Sequence, residues 1–228
     1  HYFDLTGSLS YITTVAAAVL LNPTLDLRDL IICAMITVWA LRLGSFLFWR
    51  IKKDGQDKRF IVMKTKFTWF LMTWTIGGLW VLVTMAAGLA ALTSSISAEL
   101  GVLSYLGVAL WLFGFVVEVT ADNQKTGFRE NPDNRDRFIT TGVWSWSQHP
   151  NYFGEITLWF GMALVALPVL SGWQLATLIS PIFVYFLLTK VSGIPLLDRL
   201  AKQKWGSDSD YLRYTRETSK LLLWPPKT

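Results

Sequence analysis

Apolar residues run along this chain in stretches close to the ~20 helical residues that cross a ~30 Å hydrocarbon layer. They fall at 4–21, 29–49, 67–93, 102–120, 153–170 and 173–191, with short polar connectors or longer charged segments between them. This pattern predicts an all-α, polytopic transmembrane helix bundle with six spans. The stretch 4–21 has no basic segment before it and five spans after it, so it reads as a span and not as a signal peptide. The chain begins with His1 and not Met, so one further span before it is allowed for.

Charge supplies an independent reading, because cytoplasmic loops collect Lys and Arg. The connectors 22–28, 94–101 and 168–172 are short and nearly free of them. The segment 50–66 carries Arg50, Lys52, Lys53, Lys58, Arg59, Lys64 and Lys66, and the segment 121–152 carries Lys125, Arg129, Arg135 and Arg137. The tail adds Arg199, Lys202, Lys204, Arg213, Arg216 and Lys220. Alternation puts all three long polar segments on one side, expected to be the cytoplasm. The expected location is therefore a bacterial inner membrane or the endoplasmic reticulum, with cytosolic loops capping a cofactor pocket. No repeat or separate soluble domain interrupts the chain, so 1–228 reads as one integral membrane domain.

Composition narrows the classes. With 52% hydrophobic and 16% charged residues among 228, and 12 Trp, the chain is too apolar for disorder and for most water-soluble folds. One cysteine, Cys33, and two histidines, His1 and His149, exclude an internal disulfide and a histidine- or cysteine-built metal centre. A net charge of +5 reports topology here and not nucleic acid. The expected partners are membrane lipids and a hydrophobic small molecule. Neither a Gly-rich βαβ fingerprint nor a P-loop occurs, so any nucleotide has to be held by membrane helices and their loops.

The fourth span continues past its apolar part through Glu118, Asp122, Lys125 and Arg129, whose spacings of four, three and four put them on one helical face. Two readings fit: a solvated helix end with local ion pairs, or a ligand site. Glu118 lies four residues from Asp122, near the membrane edge, and like charges at that spacing cost energy unless something answers them. A ligand with ribose hydroxyls and phosphates would, since acids accept from hydroxyls while Lys and Arg meet phosphate.

The segment Glu130-Asn-Pro-Asp-Asn-Arg135 has turn chemistry, and Pro150 suits a first helical position. A helix N-terminus at His149 to Asn151 favours an anion, with Asn151 and Glu155 one turn apart. Trp146 reads as an interfacial anchor, Trp144 as a cover for a flat ring, and His149 as an N-cap or a ligand contact. Arg42 sits mid-span, where an unpaired cation costs a few kcal/mol by insertion scales. It needs a buried acid, Glu118 or Glu155, or else a ligand; Trp39, Phe46 and Trp49 share its face. Ser192-Gly-Ile-Pro-Leu-Leu-Asp198 breaks the sixth span, and 198–205 can form a short amphipathic helix before Tyr211, Tyr214 and Arg216.

At Gly142-Val-Trp-Ser-Trp-Ser-Gln-His-Pro-Asn-Tyr-Phe-Gly-Glu155, Ala121-Asp-Asn-Gln-Lys125 and Ser192-Gly-Ile-Pro-Leu-Leu, the chain resembles the membrane steroid 5-alpha-reductase superfamily, most closely its bacterial-type DUF1295 branch. The resemblance covers roughly residues 42 to 224. It implies NADPH held on the cytosolic side and hydride transfer to a carbon–carbon double bond conjugated to a carbonyl in a lipid- or steroid-like substrate. The family's cofactor positions fall on Asp122, Arg129, Asn151 and Glu155, with Tyr211, Tyr214 and Arg216 in the tail. Glu118, Lys125, Trp144, His149 and Tyr152 are counted with them, Trp39 and Phe46 as substrate contacts, and Arg42 as the catalytic polariser. Two positions depart from the family: Glu118 replaces an Asn, and the Tyr that polarises a ketone falls near Trp39. The His-Pro-x-Tyr-x-Gly signature also resembles isoprenylcysteine carboxyl and phospholipid methyltransferases, which bind S-adenosylmethionine. Lys125 and Arg129 favour the reductase, because that sulfonium has no phosphate. A lipid- or sterol-binding protein without turnover is the third expectation.

Overall fold

The computed structural model describes residues 3–22, 24–54 and 66–226. The basic residues Lys58, Arg59 and Lys64 lie outside them, as do His1 and anything before it. The described chain is helical, and its only β feature is an isolated bridge between Ser147 and Ser219. The helices are α1 (Phe3–Leu21), α2 (Leu27–Asp54), α3 (Phe67–Thr84), α4 (Ala86–Leu92), α5 (Val102–Glu130), α6 (Pro150–Ala166), α7 (Ile179–Phe186), α8 (Ile194–Trp205) and α9 (Ser209–Glu217).

Among the described residues five helical stretches are long and apolar enough to cross a membrane: Leu27–Lys53, Phe67–Thr84, Val102–Glu130, Pro150–Val169 and Gly172–Trp205. The chain is a multi-pass membrane protein. The first expected span, 4–21, falls on α1, whose apolar stretch Leu5–Leu21 is shorter than these five. Only Val81 and Thr84 of α3 are buried, while Phe67, Phe70, Leu71, Leu79 and Leu82 stand exposed. Such a surface is stable against acyl chains and not against water.

The chain forms two compact units, His1–Gly107 with Met162–Ser180 and Val108–Gly161 with Pro181–Thr228. In the first, α1 and α2 approach closely where Gly44 meets Ser8, and Tyr11 sets its ring edge against Trp39 at 5.1 Å. Ile32, Ile36, Met85, Leu92, Met162 and Val165 fill its core. The expected span 67–93 is broken at Met85, where the Ser180 hydroxyl donates to the Thr84 carbonyl. A side chain that takes a main-chain carbonyl in this way is a common cause of a helix kink.

The three short connectors are tied to one another. Asn22 Nδ2 donates to the Leu92 carbonyl (3.0 Å), the Ser94 hydroxyl to the Val169 carbonyl (2.6 Å) and the Ser97 hydroxyl to Asp26 (3.3 Å). Arg28, only 1% exposed, donates to Ser104 Oγ (2.8 Å) and to the carbonyls of Val165 (2.6 Å), Ala98 (3.1 Å) and Glu99 (2.9 Å). Alternating spans bring these connectors to one end, and Arg28 fastens them there. In the second unit Trp111, Val117, Leu158, Trp159, Val184 and Leu188 form the core. Its last apolar helix ends in a π-helical turn, Leu187–Val191, and resumes at Ile194 with Pro195 in the first turn of α8, four residues before the expected start.

Candidate functional site

The second unit's site begins with two glycines. A Cβ on Gly114 would lie 2.5 Å from the Gly154 carbonyl, and one on Gly154 would lie 2.5 Å from the Gly114 carbonyl and 2.7 Å from the Glu118 nitrogen. The backbones of α5 and α6 therefore touch, as small residues permit in membrane helices. One turn beyond Gly114, Glu118 packs at 2% exposure, and one turn further Asp122 at 8%. Asn151 Nδ2 reaches Asp122 Oδ1 at 3.4 Å, the outer limit of a hydrogen bond. The charged face of α5 thus meets the first turn of α6, whose start at Pro150 agrees with the sequence expectation. Glu155 is half-buried one turn after Asn151, and Arg129 stands exposed at the end of α5.

The connection between these helices is shaped by Gly142, whose φ of +63° is readily available only to glycine. A Cβ there would also collide with the Gln124 amide, which accepts from the Val143 nitrogen at 3.0 Å. This turn drives Trp144 onto α5. Its indole Nε1 donates to the Ala121 carbonyl at 3.0 Å, and Lys125 Nζ lies 4.4 Å from its ring centroid. Trp144 is therefore a seated wedge covered by Lys125, not an open wall. Trp146 is 48% exposed, as an interfacial anchor would be.

The tail clamps this connection. Gln148 N donates to the Ser219 carbonyl at 2.8 Å, and its Nε2 donates to the carbonyls of Thr215 (3.0 Å) and Thr218 (2.8 Å). The Ser147 hydroxyl donates to the Leu221 carbonyl at 2.8 Å, and the Tyr214 hydroxyl to the Trp144 carbonyl at 2.7 Å. Burial pushes the Tyr214 phenol above its ordinary range, so it stays a neutral donor. Tyr211 is raised in the same direction, by burial first and by Asp198 second. It packs on Phe138 (5.3 Å) and Trp205 (6.0 Å). A polar cavity of 610 Å³ adjoins Tyr214, lined by Asp136, Arg137, Asp208, Arg213 and Glu217. Arg216 is exposed on α9.

His149 does more than end a loop. Its carbonyl accepts from Phe153 N at 3.1 Å in the N-cap position, while its ring stacks on Tyr152 with centroids 5.7 Å apart and planes at 11°. Nε2 lies 3.4 Å from Asp198 Oδ1, and Lys220 pairs with the other oxygen of that carboxylate. At 3.4 Å the histidine contact is electrostatic more than a formed hydrogen bond. Burial lowers the His149 pKa to about 4; Asp198 opposes that shift, and Lys220 and Lys125 add to it. The imidazole is neutral at pH 7.

In the first unit Arg42 lies over the Phe46 ring at 5.1 Å, with Arg50 5.8 Å from the same ring. Trp39 is 1% exposed against Tyr11. A cavity of 270 Å³ between α1 and α2 is lined by Leu5, Ser8, Leu41, Gly44, Phe48 and Trp49, and by neither Trp39, Arg42 nor Phe46. Arg28 and Lys220 escaped the sequence reading as site or anchor residues, and Asp198 entered it only as a partial echo of the methyltransferase tail. A motif-adjacent Asp on the far side of a helix break was the available signal for Asp198.

A family model described as "Protein of unknown function (DUF1295)" matches residues 1–218. Over 70 residues the chain is 30% identical to 3-oxo-5-alpha-steroid 4-dehydrogenase 1 of Bos taurus, a match covering 31% of this chain and 27% of that protein. The enzyme of the same name from Mus musculus is 29% identical over 77 residues, covering 34% and 28%. The chain thus spans little more than a quarter of the length of the curated relatives it matches. No solved structure matches it.

Proposed function

The chain belongs to the DUF1295 family, and on that premise we propose that it is an NADPH-dependent membrane reductase of a carbon–carbon double bond conjugated to a carbonyl in a hydrophobic, lipid- or steroid-like substrate. The similarity to two 3-oxo-5-alpha-steroid 4-dehydrogenases supports a place in the steroid 5-alpha-reductase superfamily. The observation that carries the reading is the meeting of α5's acidic face with the start of α6, Asp122 against Asn151. The donor set suits a phosphorylated dinucleotide. Glu118, Asp122 and Glu155 would accept from ribose hydroxyls, and Lys125, Arg129 and Arg216 would answer phosphates. Asn151 offers an amide at a helix N-terminus, where anions are favoured. Trp144, His149, Tyr152, Tyr211 and Tyr214 are proposed to complete the cofactor's surroundings.

When bound, NADPH supplies a hydride from its nicotinamide ring. Arg42 is proposed to polarise the substrate carbonyl, which drains electron density from the conjugated double bond and opens its far carbon to attack. Trp39 and Phe46 offer apolar surface to the substrate. In this reading residues 1–228 act as one domain, α1 supplies the sixth crossing, and the polar loops face the cytoplasm of a bacterial inner membrane or endoplasmic reticulum.

The test is thermal stability of the purified protein with NADPH or S-adenosylmethionine, since a ligand that binds only the folded state raises apparent stability. Stabilisation by NADPH is expected. Stabilisation by S-adenosylmethionine alone makes the protein a methyltransferase, and NADPH binding without oxidation across an enone panel makes it a binding protein.

A further inference from the structure

Asp198 closes the segment that breaks the last apolar helix and has been given no part in the site, yet it stands between two elements that the site depends on. It sits on α8, after Gly193, where a Cβ would lie 3.0 Å from Tyr152 Cε2, so the break in the last apolar helix packs directly against the first turn of α6. One carboxylate oxygen faces His149 Nε2 at 3.4 Å and the other pairs with Lys220. Lys220 belongs to the tail segment that holds 147 and 148 by main-chain contacts, so the Lys220 end of the carboxylate is anchored while its other oxygen faces the imidazole.

His149 is 6% exposed and its ring lies flat on Tyr152. A neutral imidazole carries one N–H, and the nitrogen that faces a carboxylate is the one that keeps it. The remaining nitrogen, Nδ1, is then an acceptor. No group among the described residues hydrogen-bonds Nδ1; the recorded contacts of His149 run through its backbone, its ring face and Nε2.

We propose that Asp198, braced by Lys220, is a positioning residue of the nucleotide site, holding neutral His149 as the Nε2–H tautomer so that Nδ1 accepts a hydrogen bond from a hydroxyl or amide of the bound dinucleotide. This rests on the reductase reading. It adds a role for the tail, which makes the ligand site depend on residues some fifty positions beyond the His-Pro motif.

The chain's two histidines make the test direct. With His1 replaced by Gln, protein labelled with 15N-histidine reports His149 alone. The expected spectrum at pH 7 is a neutral ring protonated on Nε2, and Asp198→Ala is expected to mix the two tautomers. NADPH affinity should fall about three- to tenfold in Asp198→Ala, the worth of one hydrogen bond, and less in Asp198→Asn, whose amide oxygen still accepts. In a His149→Gln background Asp198→Ala should change nothing further, because it acts through that ring. Thermal midpoints of all variants separate this from loss of folding. A ring protonated on Nδ1, a charged ring at pH 7, or an undiminished Asp198→Ala effect without His149 overturns the proposal. Failure of the parent protein to bind NADPH removes the ligand half together with the reductase reading, whereas the wrong tautomer in a protein that binds NADPH removes this inference alone.

Discussion

Arg28 in the first unit and the acidic face of α5 in the second both carry charge into apolar surroundings, and they do so to different ends. Arg28 gives hydrogens of Nη1 and Nη2 to three backbone carbonyls and one hydroxyl, at 2.6 to 3.1 Å, in the connector 94–101 and at the neighbouring ends of α5 and α6. Its geometry is that of a fork closed on its own fold. Glu118 and Asp122 put two carboxylates one turn apart beside a helix N-terminus, where Asn151 Nδ2 stands 3.4 Å from Asp122 Oδ1. Burial alone does not mark a functional charge. A buried group whose hydrogen bonds close on backbone is an anchor, whereas like charges gathered at a helix start are what we propose serves a ligand.

That contrast is sharpest at Arg28. Arg28→Met should cost about 3 to 5 kcal/mol, because several buried acceptors lose their donor at once. Arg28→Lys should recover little, since one ammonium cannot reproduce the fork. Both are read by thermal midpoint, and the fraction that remains folded should bind NADPH normally.

Acid should act on the second unit through His149. Its folded pKa of about 4 lies below the ordinary 6.5, so the unfolded chain binds the proton first. The corresponding stability is complete above pH 6.5 and is lost as pH falls towards 4, by about 3 kcal/mol from the size of the shift. Melting curves of the parent and of His149→Gln between pH 7 and 4 should converge on the acidic side. Parallel curves would show that His149 does not titrate in this way.

The α5–α6 crossing gives a smaller effect. Gly154→Ala places a methyl against a rigid carbonyl and should cost about 1 to 3 kcal/mol while weakening NADPH binding. Gly127→Ala is the control: no atom stands within 4 Å of its Cβ, and the change should be neutral or mildly stabilising. Smallest is Arg129→Ala, expected to weaken NADPH about tenfold more than NADH if Arg129 meets the extra phosphate, about 1.4 kcal/mol by competition titration. Equal losses would move that role to Lys125 or Arg216.

The sequence exposed what repeats along a helix. Apolar length marked the five long apolar helical stretches, spacings of four and three put Glu118, Asp122, Lys125 and Arg129 on one face, and Pro150 marked the start of α6. The DUF1295 resemblance stood on the motif around His149 and is matched across residues 1–218. What stayed hidden depends on contacts across the fold. Arg28 counted as one residue of a nearly neutral connector, since charge per loop says nothing of where a side chain turns. Asp198 and His149 are far apart in the chain, and only the break at Gly193 brings them together. Trp144 stands two residues after Gly142, and its ring seats on α5 because Gln124 holds the turn and Ala121 accepts from the indole, partners that no local pattern displays.

An experimental density map of the purified protein with NADPH tests the central claim most directly. The account predicts the dinucleotide along the α5–α6 collar, its phosphates at Lys125 and Arg129 and its hydroxyls at Glu118 or Asp122. A nucleotide bound elsewhere, or that collar closed by its own ion pairs with saturating NADPH present, would contradict it.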